Sequence, residues 1–462
     1  MTNLRLFHLL PYSLKSLATN IVAQRKYKKK YGLYYQKNYR FLMDNNVVEQ
    51  QLHSEIELAA FLQYVKENCS FYKPFFSELP EVYQVPLIDK SVVVTNHHDF
   101  KCEVPFFVGK SSGSTGQPLK VPYSQNAYQK EYAFCWYHRS FGGVHKGDRV
   151  ATFAGHKIAD VRRDRPPFWV YNKLENQMFF SSYHLSEPNM EHYVGQLNWF
   201  RPDFIHGYPS TIYFVARYIN EKGCELTFQP KMIVTSSETT LDFQRVAIEH
   251  AFGCKVFIWY GNTELCGHIT ECPNGRLHVQ PYHSLIRVLK DDDSEAGPGE
   301  IGRIVATNFS NYAFPLINYD MKDVVKVSAD QECGCRKGGL VVDYILGRIE
   351  NYVVTPEGRY VGRLDHLFKD AHHVKNGQII QNEPERIIIR IERSPGYSKK
   401  VEQAILDEAR IRLGDNIDVV FDYDNPIEKE PNGKFRFIVQ NQNIVIIGER
   451  GKTTAISLLD SP

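Results

Sequence analysis

Two groups of residues have types and spacings that could do chemistry. The first is the run Ser111-Ser112-Gly113-Ser114-Thr115-Gly116-Gln117-Pro118. Its glycines let backbone amides turn toward an anion with no Cβ in the way, and its hydroxyls add donors, so it could cradle a phosphate. The same composition also makes an ordinary Ser/Gly turn, and the residues alone leave both readings open. A Walker A loop is excluded, because Leu119-Lys120-Val121 reads as a returning strand where that motif needs a helix opened by Gly-Lys-Ser/Thr. The stretch Gly448-Glu449-Arg450-Gly451-Lys452-Thr453 copies the motif superficially, but its first glycine would have to fall at Ile446. The second group is Cys272, His278, Cys333 and Cys335, three thiols and one imidazole, the ligand set of a closed tetrahedral zinc site. Cys266, His268 and His283 are spare donors that could replace one of the four. The alternative is a buried Cys272 beside a reduced Cys-Gly-Cys turn.

These residues need a scaffold. Apolar positions Ile56, Leu58, Phe61, Leu62 and Val65 predict a core helix within 55–76. Short apolar runs at 105–108, 150–154, 231–235, 255–259 and 302–307 alternate with segments long enough for helices, which predicts an α/β body. The acidic stretch from Asp291 to Gly299 reads as a solvated hairpin connection. Beyond Gly347 the pattern changes to strand-like 386–391, a helix over 398–413 and strand-like 418–421, a small α+β unit. The expected organisation is a large body over 1–347, with 1–50 as a basic helical extension, and a small domain over 348–462.

The chain has 462 residues, of which 43% are hydrophobic and 23% charged, the balance of a folded globular protein. A formal charge of only +2 leaves no global field for a polyanion, so general nucleic-acid binding is not expected. Nine cysteines, an odd and sparse set, suggest a reducing compartment. No run approaches the ~18 apolar residues of a spanning helix, and the apolar start lacks the order of a secretion signal, so a cytoplasmic location is expected. The tract to about Asn45 is locally basic and aromatic; it is either a solvated helical layer or a peripheral contact with an anionic membrane.

The Ser/Gly run is followed in order by Ser236-Ser237-Glu238, Tyr260-Gly261-Asn262-Thr263-Glu264, Tyr319-Asp320-Met321-Lys322-Asp323, Gly347-Arg348-Ile349-Glu350 and Glu430-Pro431-Asn432-Gly433-Lys434-Phe435-Arg436. From about residue 55 to 440 this order resembles the adenylate-forming superfamily of acyl-CoA synthetases and related ligases. Within it, His206-Gly207-Tyr208-Pro209-Ser210 and Tyr72-Lys73-Pro74-Phe75-Phe76 with Pro86-Leu87-Ile88-Asp89-Lys90 are similar to the phenylacetate:CoA ligase branch, and especially to its CapK-type members of capsule and surface-polysaccharide biosynthesis.

The resemblance implies a large multi-subdomain adenylation body of mixed sheets and helices with a small mobile C-terminal α+β domain. It also implies ATP- and Mg²⁺-dependent activation of a small carboxylic acid as acyl-AMP, then transfer to CoA or to an amine or hydroxyl acceptor. By that resemblance Ser111, Ser112, Gly113, Ser114, Thr115 and Gly116 hold the β and γ phosphates, Thr263 touches a phosphate and Glu264 ligates Mg²⁺. Tyr260, with Gly261 behind it, stacks on adenine along the backbone of Ser236, Ser237 and Glu238. Asp323 accepts from the ribose hydroxyls, Arg348 supports that region, Glu350 is the hinge, and Lys434 reaches the carboxylate and α-phosphate. Gly155-His156-Lys157 could line the acyl pocket. The Cys272, His278, Cys333 and Cys335 set resembles a structural Zn²⁺ arrangement of the same branch. Two departures stand out. Lys322 occupies the position usually held by Gly, which implies a different local turn, and Glu350 stands where Asp is usual. The alternative from another class is a non-catalytic nucleotide-binding scaffold of a polysaccharide assembly. The oligomeric state is not legible.

Overall fold

Three helices lead the chain in the computed structural model: α1 (Tyr12–Lys30), α2 (Leu33–Asp44) and α3 (Val47–Asn68). The structure describes residues 12–440 except 104, 111–118, 157, 161–162, 336, 348–352, 357–359, 362–363, 369–370, 372, 384 and 428–436. The Asn46 side chain accepts from the amides of Val48 and Glu49, and the Glu49 carboxylate takes the Asn46 amide in return. This capping box starts α3 at Val47, ahead of the 55–76 that periodicity alone predicts. Phe61, Leu62 and Val65 are buried as expected, but Ile56 is exposed.

A short helix α4 (Lys90–Thr95) precedes the antiparallel hairpin of β1 (Phe107–Lys110) and β2 (Lys120–Tyr123). Its strands bring Lys110 opposite Lys120, so the ends of the Ser/Gly run are held across one ladder. Ser124 then caps α5 (Gln125–Ser140) by accepting the Ala127 amide.

The strands that follow are β3 (Val150–Ala154), β4 (Trp169–Asn172), β5 (Gln177–Ser181), β6 (Phe204–Gly207), β7 (Met232–Ser236), β8 (Val256–Tyr260), β9 (Ile269–Glu271), β10 (Leu277–Val279), β11 (Leu285–Leu289), β12 (Ile301–Thr307), β13 (Tyr319–Val327) and β14 (Val341–Gly347). They form one twelve-stranded mixed sheet in the order β11-β12-β13-β14-β10-β9-β8-β7-β6-β3-β5-β4. Five neighbours, β5, β3, β6, β7 and β8, are parallel. Parallel neighbours need crossovers, and α6 (Met190–Phe200), α7 (Pro209–Lys222) and α8 (Asp242–Phe252) provide them.

Phe153, Phe180, Ile205 and Ile233 share one core with residues of α6 and α7. Val150, Phe204, Val234 and Phe257 share another with α2 and α5. The parallel strands are therefore buried on both faces, as crossover helices require. At the end of β6 a Cβ on Gly207 would come within 1.9 Å of the Phe153 carbonyl oxygen, so glycine is required there. Pro209 then opens α7, where a missing amide costs nothing.

Beyond the sheet lie β15 (Val353–Val354), β16 (Tyr360–Val361), β17 (Val374–Glu383), β18 (Arg386–Arg393), α9 (Lys399–Leu413), β19 (Asp418–Asp422) and β20 (Ile438–Gln440). Antiparallel β17 and β18 are flanked by β19 and β20 in a separate sheet. Leu364, Phe368, Ile379, Ile389, Ile405 and Leu413 give these elements a core of their own. The fold is the mixed α/β architecture that the alternating pattern predicts. The Asp291–Gly299 stretch joins β11 to β12; within it Asp293 pairs with Arg303 and Asp292 accepts from Ser294. Among the described residues no helix is long and apolar enough to cross a membrane.

Candidate functional site

The carboxyl ends of parallel strands are where open α/β sheets bind ligands. Here β3 leads into Gly155, β6 into Tyr208, β7 into Ser237 and Glu238, and β8 into Gly261, all on one edge because the strands run in parallel register. The Tyr183 phenol donates to the Gly155 carbonyl at 3.0 Å, and a Cβ on Gly155 would lie 3.2 Å from the Tyr208 hydroxyl. Gly155 thus packs between the Tyr183 and Tyr208 hydroxyls at this edge. Ser237 takes a left-handed backbone with φ 69°. That turn sends Glu238 back to α7, where its Oε2 accepts the Ser210 amide at 3.2 Å, a carboxylate at a helix N-terminus. Two of the sequence motifs, Tyr208-Pro209-Ser210 and Ser236-Ser237-Glu238, are joined by this one bond.

The segment after β8 is held from several sides. Asn262 Oδ1 accepts the Cys266 amide at 3.0 Å and its Nδ2 donates to the Cys266 carbonyl, which closes a loop around Thr263 and Glu264. The Tyr123 phenol donates to the Thr263 carbonyl, and Asn308 Nδ2 donates to the Glu264 carbonyl at 3.2 Å. Burial and the nearby Glu264 and Glu131 charges push the Tyr123 hydroxyl pKa up, so it stays a donor. The base of the Ser/Gly hairpin is thereby tied to the Thr263-Glu264 loop.

Across the site Tyr260 donates to Asp323 Oδ2 at 2.6 Å, which brings together residues expected to meet adenine and ribose. Lys322, just before Asp323, has φ 58°. Lysine is thus held in the left-handed conformation that glycine adopts readily. Its ammonium donates to Asp89 Oδ2 at 2.6 Å, and its amide to Asp320 Oδ1 at 2.8 Å. Asp89 also caps α4 through the amides of Ser91 and Val92. Burial raises the Asp89 pKa, but the Lys322, Ser91 and Val92 hydrogen bonds outweigh it and hold the carboxyl at about 2.

The sulfur cluster assembles as its composition predicts. Cys272 opens the turn out of β9, His278 lies on β10, and Cys333 and Cys335 come from the connection between β13 and β14. One donor atom from each lies within 4.8 Å of all the others. Cys272 and Cys333 sulfurs are 3.8 Å apart, and Cys335 Sγ is 3.4 Å from His278 Nε2. Tetrahedral Zn–S bonds of about 2.3 Å give sulfur–sulfur edges of about 3.8 Å, so the residues present fit a zinc ion. His278 Nδ1 is 3.2 Å from the Gly339 carbonyl, an orienting partner for the other ring nitrogen.

None of the spare donors joins that cluster. His268 and His283 instead flank Glu131, each Nε2 3.1 Å from one of its carboxylate oxygens. Their rings stack at 3.9 Å with an 18° interplanar angle. A metal must lie near the plane of each imidazole that binds it, and two nearly parallel planes do not converge on one ion. This is a hydrogen-bonded cluster, and it packs beside the loop, with His268 Nε2 3.1 Å from a Cβ built on Gly261. Nothing in the spacing of Glu131 signalled it; nor did the sequence reading find Tyr123, Asn262, Asn308 or the Lys322–Asp89 pair. Ser111 to Gly116, Lys157, Arg348, Glu350 and Lys434 lie outside the described residues.

Comparison with known proteins was then decisive. Protein CapK of Staphylococcus aureus is 27% identical over 449 residues, 93% of this chain and 98% of that protein. The likeness runs along nearly the whole of both chains. The family model described as the CapK C-terminal domain matches residues 353–441, the segment with its own sheet. A phenylacetate-coenzyme A ligase of Pseudomonas putida is 22% identical over 351 residues, 69% of this chain and 77% of that protein. Among solved structures, 2-hydroxyisobutyryl-CoA ligase with 2-HIB-AMP and CoA in the thioesterification state has a TM-score of 0.54 at 16% identity, covering 85% of this chain and 90% of that one. The same ligase in the postadenylation state gives a TM-score of 0.52 at 16% identity, covering 86% and 90%. The chain therefore has the fold of these ligases.

Proposed function

We propose that this protein is an AMP-forming ligase. A carboxylate oxygen attacks the α-phosphorus of ATP, the bond to the bridging oxygen breaks, and pyrophosphate leaves, giving acyl-AMP. An acceptor nucleophile then attacks the acyl carbonyl, loses its proton, and releases AMP. The observation that carries this reading is the Tyr260–Asp323 hydrogen bond, which orients an aromatic face and a carboxylate together beside the Thr263-Glu264 loop.

In this reading Tyr260 supplies the adenine face and Asp323 the ribose acceptor. The backbone of Ser236 to Glu238 runs along the base. The Ser111–Gly116 run cradles the outer phosphates, and the Tyr123 bond to the Thr263 carbonyl, which ties β2 to the Thr263-Glu264 loop, supports this reading. Glu264 supplies a hard oxygen donor that suits Mg²⁺, an ion that when bound adds positive charge beside the phosphates. Arg348 supports the ribose, and Lys434 offsets the charge that gathers where two anions meet. The body covers 1–347 and the small domain 348–462, turning about Glu350 between the two half-reactions. CoA is the acceptor in 2-hydroxyisobutyryl-CoA ligase and phenylacetate-coenzyme A ligase, and for this chain CoA stands beside an amine or hydroxyl in surface-polysaccharide assembly. Cys272, His278, Cys333 and Cys335 hold a structural Zn²⁺ that clamps the turn after β9 to the connection before β14.

The experiment is acid-dependent pyrophosphate release, with hydroxylamine and CoA as alternative traps. Trapping by both supports acyl-AMP formation and names the acceptor class. ATP binding without release against a broad acid panel points instead to a nucleotide-binding scaffold.

A further inference from the structure

Helix α1 is amphipathic in the reverse sense for a helix packed on a protein. Its polar residues Ser16, Asn20 and Lys30 point inward, onto β4, the outermost strand of the large sheet, and the turn after it. Ser16 Oγ donates to the Tyr171 carbonyl at 3.1 Å, Asn20 Oδ1 accepts the Lys173 amide at 2.8 Å, and Lys30 pairs with Glu175 at 2.9 Å. Lys15 is almost wholly buried. The outward face carries Leu14, Leu17, Ile21 and Val22, which are 46%, 57%, 50% and 46% exposed. Positions 14, 17 and 21 recur at the three- and four-residue spacing of a single helix face, and the same row continues into exposed Arg25, Lys28 and Lys29.

The charge of this region is one-sided. Residues 1–43 contain nine Lys and Arg and no acid; the first is Asp44. The whole chain is only +2, so the remainder is net acidic. An apolar row continued by cations is the pattern of a helix lying in a membrane interface, with the row at the acyl boundary and the cations among headgroups.

We infer that α1 docks the protein on an anionic lipid bilayer, with Leu14, Leu17, Ile21 and Val22 entering the interface and Arg25, Lys28 and Lys29 meeting the headgroups. This inference does not depend on the ligase reading, because binding is read without turnover.

The test is sedimentation of the full chain with vesicles of phosphatidylcholine alone or mixed with phosphatidylglycerol. Binding to the mixed vesicles only, weakening as salt rises, is expected. The variant Arg25→Gln/Lys28→Gln/Lys29→Gln should lose affinity by on the order of five-fold per residue removed. The variant Leu17→Glu/Ile21→Glu should remain in the supernatant, with an unchanged melting temperature because these positions are exposed. A chain that stays in solution with mixed vesicles overturns the inference, as does binding unchanged in both variants. A dimer in the absence of lipid that Leu17→Glu/Ile21→Glu dissolves also overturns it, by showing a second copy as the occupant.

Discussion

Tyr260 at the end of β8 donates its phenolic hydrogen to Oδ2 of Asp323 on β13, 2.6 Å away, across the antiparallel strands that separate them in the sheet. One group is placed to present a ring face and the other a carboxylate, and each fixes the other's orientation. Tyr260→Phe keeps the ring and removes the bond, so it should weaken ATP binding by roughly ten-fold, the worth of about 1.4 kcal/mol. Asp323→Ala removes the acceptor itself and should cost more. Isothermal titration with ATP checks both; equal affinity in the two variants would separate this pair from nucleotide binding.

Lys322 holds a backbone conformation that favours glycine. A non-glycine residue at φ 58° carries about 1 kcal/mol of strain relative to glycine. Its bond to Asp89 joins partly exposed groups and adds little after solvent screening. Lys322→Gly should therefore change stability by less than about 1 kcal/mol. Asp89→Ala should cost about 1 kcal/mol, because it removes the α4 cap as well. Urea unfolding of both variants measures the difference.

The sulfur cluster makes a compositional prediction. Protein purified without chelator should contain about one equivalent of zinc, and Cys333→Ser/Cys335→Ser should contain none. The metal-free variant should melt several degrees lower, since the clamp between the turn after β9 and the connection before β14 is lost. Elemental analysis paired with calorimetry checks this; a metal-free protein of equal stability would remove zinc from the account.

Buried histidines set an acid limit. Burial lowers the His138 and His283 pKa values to about 3, so both are neutral at pH 7. For His283 the neighbouring His268 adds to the lowering, against the pull of Glu131. In the unfolded chain both take up a proton near pH 6.5, whereas the folded chain does not until about 3. Their contribution is thus complete above pH 6.5 and is lost as pH falls toward 3, with a slope of at most about 1.4 kcal/mol per pH unit for each. Melting temperature should fall steadily from pH 7 to 4, and His138→Gln should flatten that fall.

Much of this was legible in the sequence where short-range patterns decide structure. The strand over 150–154 stands as read, and those at 231–235, 255–259 and 302–307 lie within a residue of their places. Helix α9 likewise begins and ends where its pattern indicates. The four-residue sulfur cluster was legible from donor type together with the family resemblance. Helix α3 was misplaced because an Asn46–Glu49 capping box, a local hydrogen-bond device, overrode apolar periodicity. The buttresses of the loop after β8 were hidden for another reason. Tyr123 and Thr263, or Glu131 and the two histidines, are separated by more than a hundred residues and meet only through the sheet order. The polar-inward packing of α1 was equally unreadable, since a basic helix looks the same in sequence whichever face it buries.

The central claim is carboxylate adenylation, and pyrophosphate release from ATP and Mg²⁺ across aryl, fatty, amino and sugar acids tests it most directly, with Lys434→Ala measured beside the parent protein. The account predicts release with one acid class, trapped as a hydroxamate by hydroxylamine, and its loss in Lys434→Ala with ATP binding retained. Release that is unchanged in Lys434→Ala, or ATP binding with no release from any acid, would contradict it.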